Sequence, residues 1–414
     1  MKQNNLKYGI VAACLLAAGG VSALGAGYGI YEGSARANAM GSEVTADPES
    51  PSVIYNNIAA MTELEGTQVE VGATFIKPRQ TIVTDLPSGS QKTFGTSRWW
   101  TLPTGYVTHQ INERFWAGLG LFTRVGLGAE FPYDWAGRYS VQNAEIVSFD
   151  VNPSMAFKVT DRFSLAGGFR VEYFDFELKR AIPTGTPFVD PDASLKLTGE
   201  NFGMGYNFGA YWKPIDRISL GLAYESQITH DIMGSYTMTM QDVMLSSGTV
   251  YGDFSTPALV RFGTSIQATE KWKINAGVVY TLWSCYDQMR MHFDPALMGS
   301  RSVSTSLKNW HDTFRWQFGT EYTLSDAWAV RCGYIYDKTP DPDYLIDYMV
   351  PANNRHLVSL GVGWKHDNYF VDAAYTYLII EDRTVKGHIE DGVWDGHFVD
   401  GDAHMVSLST GYRF

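Results

Sequence analysis

The stretch "HMVSLSTGYRF" (residues 404–414) alternates strictly between two kinds of side chain. One face carries Val406, Leu408, Thr410, Tyr412 and Phe414, and the other carries Met405, Ser407, Ser409, Gly411 and Arg413. A period of two is typical of a β-strand with one face in an apolar medium and one in a polar medium. A strand placed at the end of the chain needs partners on both edges, or it would template aggregation. The stretch therefore predicts the last strand of a closed β-barrel.

The composition favours a barrel that crosses a membrane. Aromatic residues make up 14%, glycines number 41 and the formal net charge is -12, while the mean hydropathy is -0.16. After the first 26 residues, no apolar run reaches the length of about 18 residues that marks a spanning helix. Abundant Tyr, Trp and Gly at moderate hydropathy is typical of transmembrane strands, because only alternate residues meet lipid. The acidic balance excludes nucleic acid as an expected partner.

The first residues read as a secretory signal peptide. Lys2 and Lys7 precede the apolar run "GIVAACLLAAGGVSALGA", and "Ala-Leu-Gly" at 23–25 fits the small-x-small cleavage rule. We expect the signal peptide to span residues 1–25, with cleavage after Gly25 or, as the alternative, after Ala23.

Residues 67–414 alternate in segments that are joined by two kinds of connection. Short turns such as "INE", "TDR", "KPID", "TEK", "SD" and "HDN" alternate with longer loops, which we expect to include 233–255 and 292–306. This asymmetry predicts an antiparallel transmembrane barrel of about fourteen strands in the Gram-negative outer membrane, with short turns in the periplasm. Outward aromatic residues should form the interfacial girdles; they include Trp272, Trp328, Tyr322 and Tyr412. We further expect the outer-membrane assembly machinery to recognise Phe414.

Residues 26–66 do not alternate, yet they contain too many apolar side chains for a solvated linker, among them Tyr28, Ile30 and Tyr55. A barrel of this size has a bore that side chains alone would not fill. We therefore predict that residues 26–66 form a hatch, a plug inside the barrel.

The sequence resembles the outer-membrane long-chain fatty-acid transporter family (FadL/TodX type, OMPP1), which also includes aromatic-hydrocarbon transporters. The resemblance is carried by "GYGIYEGSARANAMG…ADPESPSVIYNNIAAMTELEG", "DWAGRY", "VNPSMAFKVTDRFSLAGGF", "WHDTFRWQFGTEY…AWAVRCGYIYDKTP" and "NRHLVSLGVGW". It implies an all-β, fourteen-stranded antiparallel barrel plugged by an N-terminal hatch. The family's hatch usually carries Asn-Pro-Ala, for which Asn57-Ile58-Ala59, or Asn56 with an insertion, is the best match here. The predicted hatch or gate residues are Tyr28, Ile30, Tyr55, Asn56, Asn57, Ile58 and Ala59.

The resemblance also implies a sideways exit through the wall, at an inward kink of the third strand. That strand reads "RFWAGLGLFTRVGLG", and its glycines permit a bulge or a break in pairing; they are Gly118, Gly120, Gly126 and Gly128. The alternative is that these glycines only allow tight inward packing. For capture outside the cell, the expected loops are 181–189 and 233–245, which carry Met, Tyr, Phe and Ile.

The inward faces carry charges that either pair with one another or bind a substrate carboxylate. In fatty-acid transporters of this family an Arg and a Lys do so; these positions fall near Asp175 or Arg180 and at His311. A histidine there would weaken the acid clamp at neutral pH and admit neutral cargo. The candidate substrate-binding residues are Arg170, Phe174, Phe176, Arg180, Arg261, His311, Arg315 and Arg331.

These observations predict passive uptake of long-chain fatty acids or similar apolar molecules, with no metal and no cofactor. The expected partners are the apolar substrate, the lipid bilayer and lipopolysaccharide, and the expected state is a monomer. Two alternatives stay open: an adhesive or structural barrel that acts through its loops, and an outer-membrane hydrolase built from a few placed Ser, His and Asp.

Overall fold

The computed structural model describes residues 27–414, so the predicted signal peptide lies outside the described residues. These residues form one antiparallel sheet of 21 segments that closes on itself. The segments are β1 (Thr67–Leu86), β2 (Gly89–Phe94), β3 (Trp100–Gln110), β4 (Phe115–Phe122), β5 (Gly126–Glu130), β6 (Asn143–Thr160), β7 (Phe163–Pro183), β8 (Asp192–Ile215), β9 (Ile218–Glu225), β10 (Ile228–Met240), β11 (Val243–Thr256), β12 (Leu259–Gln267), β13 (Trp272–Thr281), β14 (Gln288–Leu297), β15 (Arg301–Leu307), β16 (Thr313–Thr323), β17 (Trp328–Asp337), β18 (Arg355–His366), β19 (Tyr369–Ile380), β20 (Arg383–Val385) and β21 (Gly396–Arg413).

The segments build a barrel of fourteen strands, which confirms the predicted fold class. Five strands are interrupted, so that β4 and β5, β9 and β10, β11 and β12, β13 and β14, and β15 and β16 each form one strand. β2 and β20 are short additions that pair above β1 and β21. The barrel closes where β1 pairs with β21, from Gln68↔Arg413 to Thr84↔Gly396.

The last strand shows why the sequence pattern was informative. Met405, Ser407 and Ser409 are buried, whereas Val406 and Leu408 are exposed on the outer face. The predicted short turns are present, for example between β18 and β19 at Asp367, which has a positive φ.

Two predicted loops, 233–255 and 292–306, are wrong. β10 and β11 continue as a hairpin through Met240↔Val243, and Gln241 and Asp242 turn the chain with positive φ. β14 and β15 form a second hairpin that also pairs with β11. The strands continue because an antiparallel sheet outside the membrane can pack one face on the interior and turn the other to water; Tyr236 and Met238 are buried on the inner face of β10.

Helices are short and concentrate before β1. They are α1 (Ala35–Ala39), α2 (Val53–Asn56) and the 3₁₀ helices Ile58–Glu63, Trp283–Cys285 and Ile389–Asp391. Within the described residues, no helix is long and apolar enough to cross a membrane.

Residues 27–66, the N-terminal segment, are almost entirely buried and contact inward-facing side chains from opposite parts of the sheet. Asn38 Nδ2 donates to Ser407 Oγ of β21 (2.8 Å). Thr62 Oγ1 donates to Ser164 Oγ of β7 (2.7 Å). Asn57 Nδ2 donates to the carbonyl of Ala210 in β8 (3.0 Å).

Seven inward glycines on neighbouring strands make room for backbone and side-chain atoms of residues 39–59. A Cβ on Gly333 would lie 2.1 Å from the backbone nitrogen of Gly41, and one on Gly319 would lie 2.3 Å from the carbonyl oxygen of Met40. Since real Cβ contacts are never this short, only glycine fits at these positions. We call these residues the glycine track: Gly209, Gly221, Gly263, Gly277, Gly319, Gly333 and Gly361.

Ion pairs hold the N-terminal segment against β13. Arg36 Nη2 lies 2.6 Å from Asp47, and Lys273 Nζ of β13 lies 2.8 Å from Asp47 and 2.6 Å from Glu49. Glu43 contacts the glycine track at Gly263, and burial raises the pKa of Glu43 to about 8 despite hydrogen bonds from Thr45.

Replacing Gly333 with alanine should loosen the N-terminal segment, because the new methyl group overlaps the backbone of Gly41. Overpacking of this kind costs about 1–3 kcal/mol, so amide hydrogen exchange at residues 35–61 should accelerate about 5- to 150-fold. The matched control is Gly105→Ala, whose Cβ would meet Leu121 at 3.9 Å. Equal exchange in the two variants would contradict the role of the glycine track.

Glu43 should make the position of the N-terminal segment depend on pH. We call its position inside the lumen, as described above, the seated state. The seated state has the raised pKa of about 8, so it binds the proton more tightly than an opened state with an ordinary carboxyl. The free energy that holds the segment in the lumen is therefore greatest below about pH 4.5 and falls as the pH rises toward 8. The equilibrium constant for opening rises by up to about tenfold per pH unit over this range.

The measurement is the ratio of exchange rates in wild type and Glu43→Gln at each pH, which cancels the intrinsic pH dependence of exchange. The ratio should rise between pH 5 and 8 and then level. A ratio that stays flat would show that Glu43 does not govern seating.

Candidate functional site

An outer cavity opens among the loops above the barrel. It has a volume of about 390 Å³ and is lined by Arg180, Phe188, Arg301 and Trp394. Arg180 lies at the end of β7, where it also borders the next pocket inward. The predicted residue Arg180 is therefore at the mouth of the barrel rather than at its centre.

An apolar pocket lies deeper, between the inner faces of β7, β8, β10, β11 and β14. The pocket next to it shares Leu197, Met289 and Met291 with it and reaches Arg180. That second pocket shares Arg180 with the outer cavity and so lies between the outer cavity and the apolar pocket. The apolar lining includes the predicted residue Phe176 together with Leu197, Ile232, Val250, Phe254, Met289 and Met291.

Below this pocket, the ring of Tyr28 occupies a cage of aromatic side chains. Its centroid lies 4.9 Å from Phe254, 4.7 Å from Trp283 and 5.4 Å from Trp310. The Tyr28 hydroxyl donates to the carbonyl of Ser255 (2.8 Å). Burial raises the pKa of Tyr28 well above its usual value, which keeps this donor protonated. The predicted residue Phe174 joins the cage by packing 4.7 Å from Phe254.

The third strand is interrupted at residues 123–125, between β4 and β5. Among the described residues, its register with β3 stops at Gly105↔Leu121, while β5 continues in register with β6. A contact across the gap resumes where Thr96 N–H donates to Glu130 (2.7 Å).

The N-terminal segment pairs with this interruption. Ile30 N–H donates to the carbonyl of Arg124 (2.8 Å), and Gly126 N–H donates to the carbonyl of Tyr28 (2.9 Å). Gly29 and Val125 form an isolated antiparallel bridge. The backbone groups that the break exposes are thus bonded to the segment itself.

Two of the predicted kink glycines lie before the interruption and two lie after it. A Cβ on Gly118 or Gly120 would press on Ile54, at 2.9 Å in each case, as expected of glycines that allow inward packing. Gly126 and Gly128 lie in β5 beyond the break.

A cluster of buried charges surrounds the inner end of the pathway. Arg170 lies 2.8 Å from Asp150 and 3.2 Å from Glu172, and both carboxylates are fully buried. Arg261 lies 3.5 Å from Glu225. Arg170 is thus paired with two neighbouring carboxylates.

The other predicted residues are spread over the molecule. Arg315 lies 2.8 Å from Asp337, and its guanidinium is 4.1 Å from the Tyr31 ring. Arg331 contacts Glu321 and Asp372 at the opposite end of the lumen from Arg180. His311 is exposed, and its backbone N–H donates to Pro340 (3.0 Å). The structure thus does not bring Arg180 and His311 together as a clamp.

The predicted gate residues near α2 are buried and bonded. The Tyr55 hydroxyl donates to the carbonyl of Ile30 (2.6 Å), and Asn56 Nδ2 donates to Ser42 (2.9 Å). Asn57 caps the 3₁₀ helix by accepting from Ala59 N–H (3.1 Å). Ile58 takes the first helical position, where the family usually has proline, and the cap forms without it.

Arg124 is a site residue that the sequence reasoning missed. Its side chain is 5% exposed, and its Nη2 lies 2.7 Å from Glu225 Oε1. The sequence did contain a signal for it. Arg124 is even-numbered, like Gly118, Gly120 and Phe122, and the even-numbered residues of the third strand face inward.

Within residues 27–414, no group of three or more His, Cys, Asp or Glu side chains is arranged to hold a metal ion. The features along the pathway are apolar walls, aromatic rings and paired charges. Such a lining can hold and pass an apolar molecule.

Known proteins share this architecture. The profile of the family described as "Outer membrane protein transport protein (OMPP1/FadL/TodX)" matches residues 15–414. The long-chain fatty acid transport protein of Escherichia coli O6:H1 is 22% identical over 400 residues, covering 87% of this chain and 88% of that protein.

Two solved structures show the same fold. A FadL homologue from Pseudomonas aeruginosa has a TM-score of 0.81 at 22% identity, over 94% of this chain and 100% of its own. The toluene transporter TodX of P. putida has a TM-score of 0.74 at 16% identity, over 94% of this chain and 99% of its own. The chain belongs to the outer membrane protein transport protein family (OMPP1/FadL/TodX) and is a transporter, not an enzyme, of the Gram-negative outer membrane.

Proposed function

We propose that this protein takes up hydrophobic compounds passively, through the outer cavity, the apolar pocket and an opening in the wall beside β5. The observation that supports this most is the adjacency of three features. The apolar pocket ends at Phe254, Phe254 packs on Tyr28, and the residue after Tyr28 bridges to Val125 in the interrupted third strand.

The lining of the apolar pocket suits cargo of variable shape. Methionine side chains are flexible and polarisable, so Met289 and Met291 can adapt to different tails. Each methylene that the pocket buries contributes about 0.8 kcal/mol. Affinity should therefore rise with chain length until the pocket is full.

The N-terminal segment acts as the hatch in this proposal. Its burial along the glycine track leaves the lumen without a straight aqueous path, so cargo must leave sideways. Tyr28 is the gate: cargo that displaces its ring from the aromatic cage also strains the bridge at Gly29 and Val125.

The cargo we propose is a long-chain fatty acid or a similar apolar molecule. The E. coli relative is a long-chain fatty acid transport protein, and one structural neighbour is a toluene transporter. Arg124 favours an acid over a neutral hydrocarbon, because its buried Nε and Nη1 have no hydrogen-bond partner among the described residues.

The proposed surroundings follow from the outer surface. Exposed apolar side chains such as Phe169, Met204 and Leu360 face the bilayer, and lipopolysaccharide covers the outer half. Phe414 is 73% exposed and accessible to the assembly machinery. A closed barrel needs no partner to cover an edge, so we propose a monomer.

Replacing Ile232 with asparagine should weaken binding of a C16 fatty acid about tenfold or more, because the amide would be buried in the apolar pocket. The control is Met233→Asn, on the next residue of β10, whose side chain is 69% exposed. Fluorescence titration of wild type with C10 to C16 acids should show about fourfold tighter binding per methylene. Affinities that ignore chain length would contradict an apolar pocket.

Cysteines at positions 29 and 125 should lock the gate. Gly29 and Val125 face each other in an antiparallel bridge, a spacing that a disulfide can span. In a background without Cys285 and Cys332, the oxidised Gly29→Cys/Val125→Cys variant should lose uptake of a fluorescent fatty acid, and reduction should restore it. Undiminished uptake by the cross-linked protein would contradict the sideways exit, and single-cysteine variants serve as controls.

A further inference from the structure

We infer that Arg124 is a specificity residue at the interruption of the third strand, where the carboxylate of an acid cargo replaces Glu225 as its partner. This inference rests on the transport function proposed above and names the class of cargo. That class is an amphiphile with an ionised carboxylate at one end of an apolar tail.

Arg124 sits where the pathway meets the wall. It lies between β4 and β5, and its guanidinium is 3.5 Å from the ring centroid of Tyr55 and 4.8 Å from that of Phe122. One nitrogen, Nη2, serves both Glu225 and the carbonyl of Tyr55. Aromatic faces on a guanidinium hold it in place without using its hydrogen-bond donors.

The remaining donors of Arg124 are available to a ligand. Among the described residues, its Nε and Nη1 are buried and have no hydrogen-bond partner. Arg124 lines a small cavity together with Tyr31, Glu225 and Trp283. Once Nη2 leaves Glu225, Nη2 together with Nε or Nη1 can bind a carboxylate in a two-pronged arrangement. A buried donor without a partner is costly.

Glu225 can give up Arg124 without being left alone. It also lies 3.5 Å from Arg170 and 3.5 Å from Arg261. Exchange of partners therefore leaves no isolated buried charge, which would oppose the step. Arg170 is less suited to the same exchange, because Asp150 and Glu172 already neutralise it.

The exchange would act on the gate through one residue. The carbonyl of Arg124 accepts from Ile30 N–H, and its neighbour Val125 bridges to Gly29. A carboxylate that pulls the guanidinium away from Tyr55 and Glu225 would loosen the strand at Tyr28–Ile30. A neutral molecule of the same length has no carboxylate with which to bind the guanidinium.

The test is equilibrium binding of a C16 carboxylic acid and its methyl ester to detergent-purified wild type, Arg124→Gln and Glu225→Gln. A charge-assisted hydrogen bond is worth about 1.5–3 kcal/mol, so Arg124→Gln should weaken acid binding about 10- to 150-fold. Ester binding should stay within about twofold. Glu225→Gln removes the competitor and should tighten binding of the acid alone.

The control is Arg383→Gln, which removes another buried arginine with two carboxylate partners, Asp341 and Asp343, away from the cavity. It should leave the ratio of acid to ester affinity unchanged. Heat-dependent gel mobility establishes that each variant folds as a barrel.

An equal loss for acid and ester in Arg124→Gln, or no loss for either, would overturn the inference while leaving apolar transport in place. If Arg124→Gln does not fold, Glu225→Gln decides, and unchanged acid binding there overturns it. If wild type binds neither ligand, the proposed transport function fails and takes this inference with it.

Discussion

Close contact between residues 39–59 and the glycine track is the constraint on which the rest of the structure depends. A β-barrel of fourteen strands has an interior too wide for side chains to fill. Here the wall gives up side chains on seven neighbouring strands, so that a second layer of chain can lie directly against it. Hydrogen bonds and ion pairs, such as Arg36–Asp47–Lys273, then fix one register of that layer. Breaking one partner of a buried pair is costly, so the seated position is well defined.

The interrupted third strand can exist because the same segment supports it. A break in a barrel strand exposes backbone groups that would be costly without partners. Tyr28 and Ile30 provide those partners, and Ser148 of β6 bonds to both Thr123 and Val125 from the other side. The gap in the wall and the position of the N-terminal segment are therefore coupled through hydrogen bonds. In the transport route that we propose, this coupling would keep the opening closed when no cargo is present.

The sequence pattern was sufficient for the strands that cross the membrane, because lipid and lumen impose opposite demands on alternate residues. It failed at the β10–β11 and β14–β15 hairpins, where the alternation is the reverse of that in the membrane. In β10, Tyr236 and Met238 are buried, whereas Asp231 and Ser235 are exposed. Burial of Tyr28, Tyr55 and Asn57, which we predict to be gate residues, followed from their apolar or capping character. Their contacts did not, because they join residues far apart in the chain.

Charged site residues were the least predictable from sequence. Parity placed Arg170, Arg261 and Arg315 on the inward face, but it could not say which carboxylate would neutralise each one. Arg180 borders the outer cavity near the end of β7, whereas His311 is exposed in the interruption between β15 and β16. Arg124 lies on the same inward face as the glycines before it, yet its importance depends on a break that only the three-dimensional pairing reveals.

We propose that the N-terminal segment fills the lumen, so that cargo leaves through the wall. Conductance of the purified protein in planar lipid bilayers tests this most directly. The intact chain should show no steady ohmic current, and a form that lacks residues 27–61 should show large open steps. A steady water-filled pore in the intact chain would contradict the account.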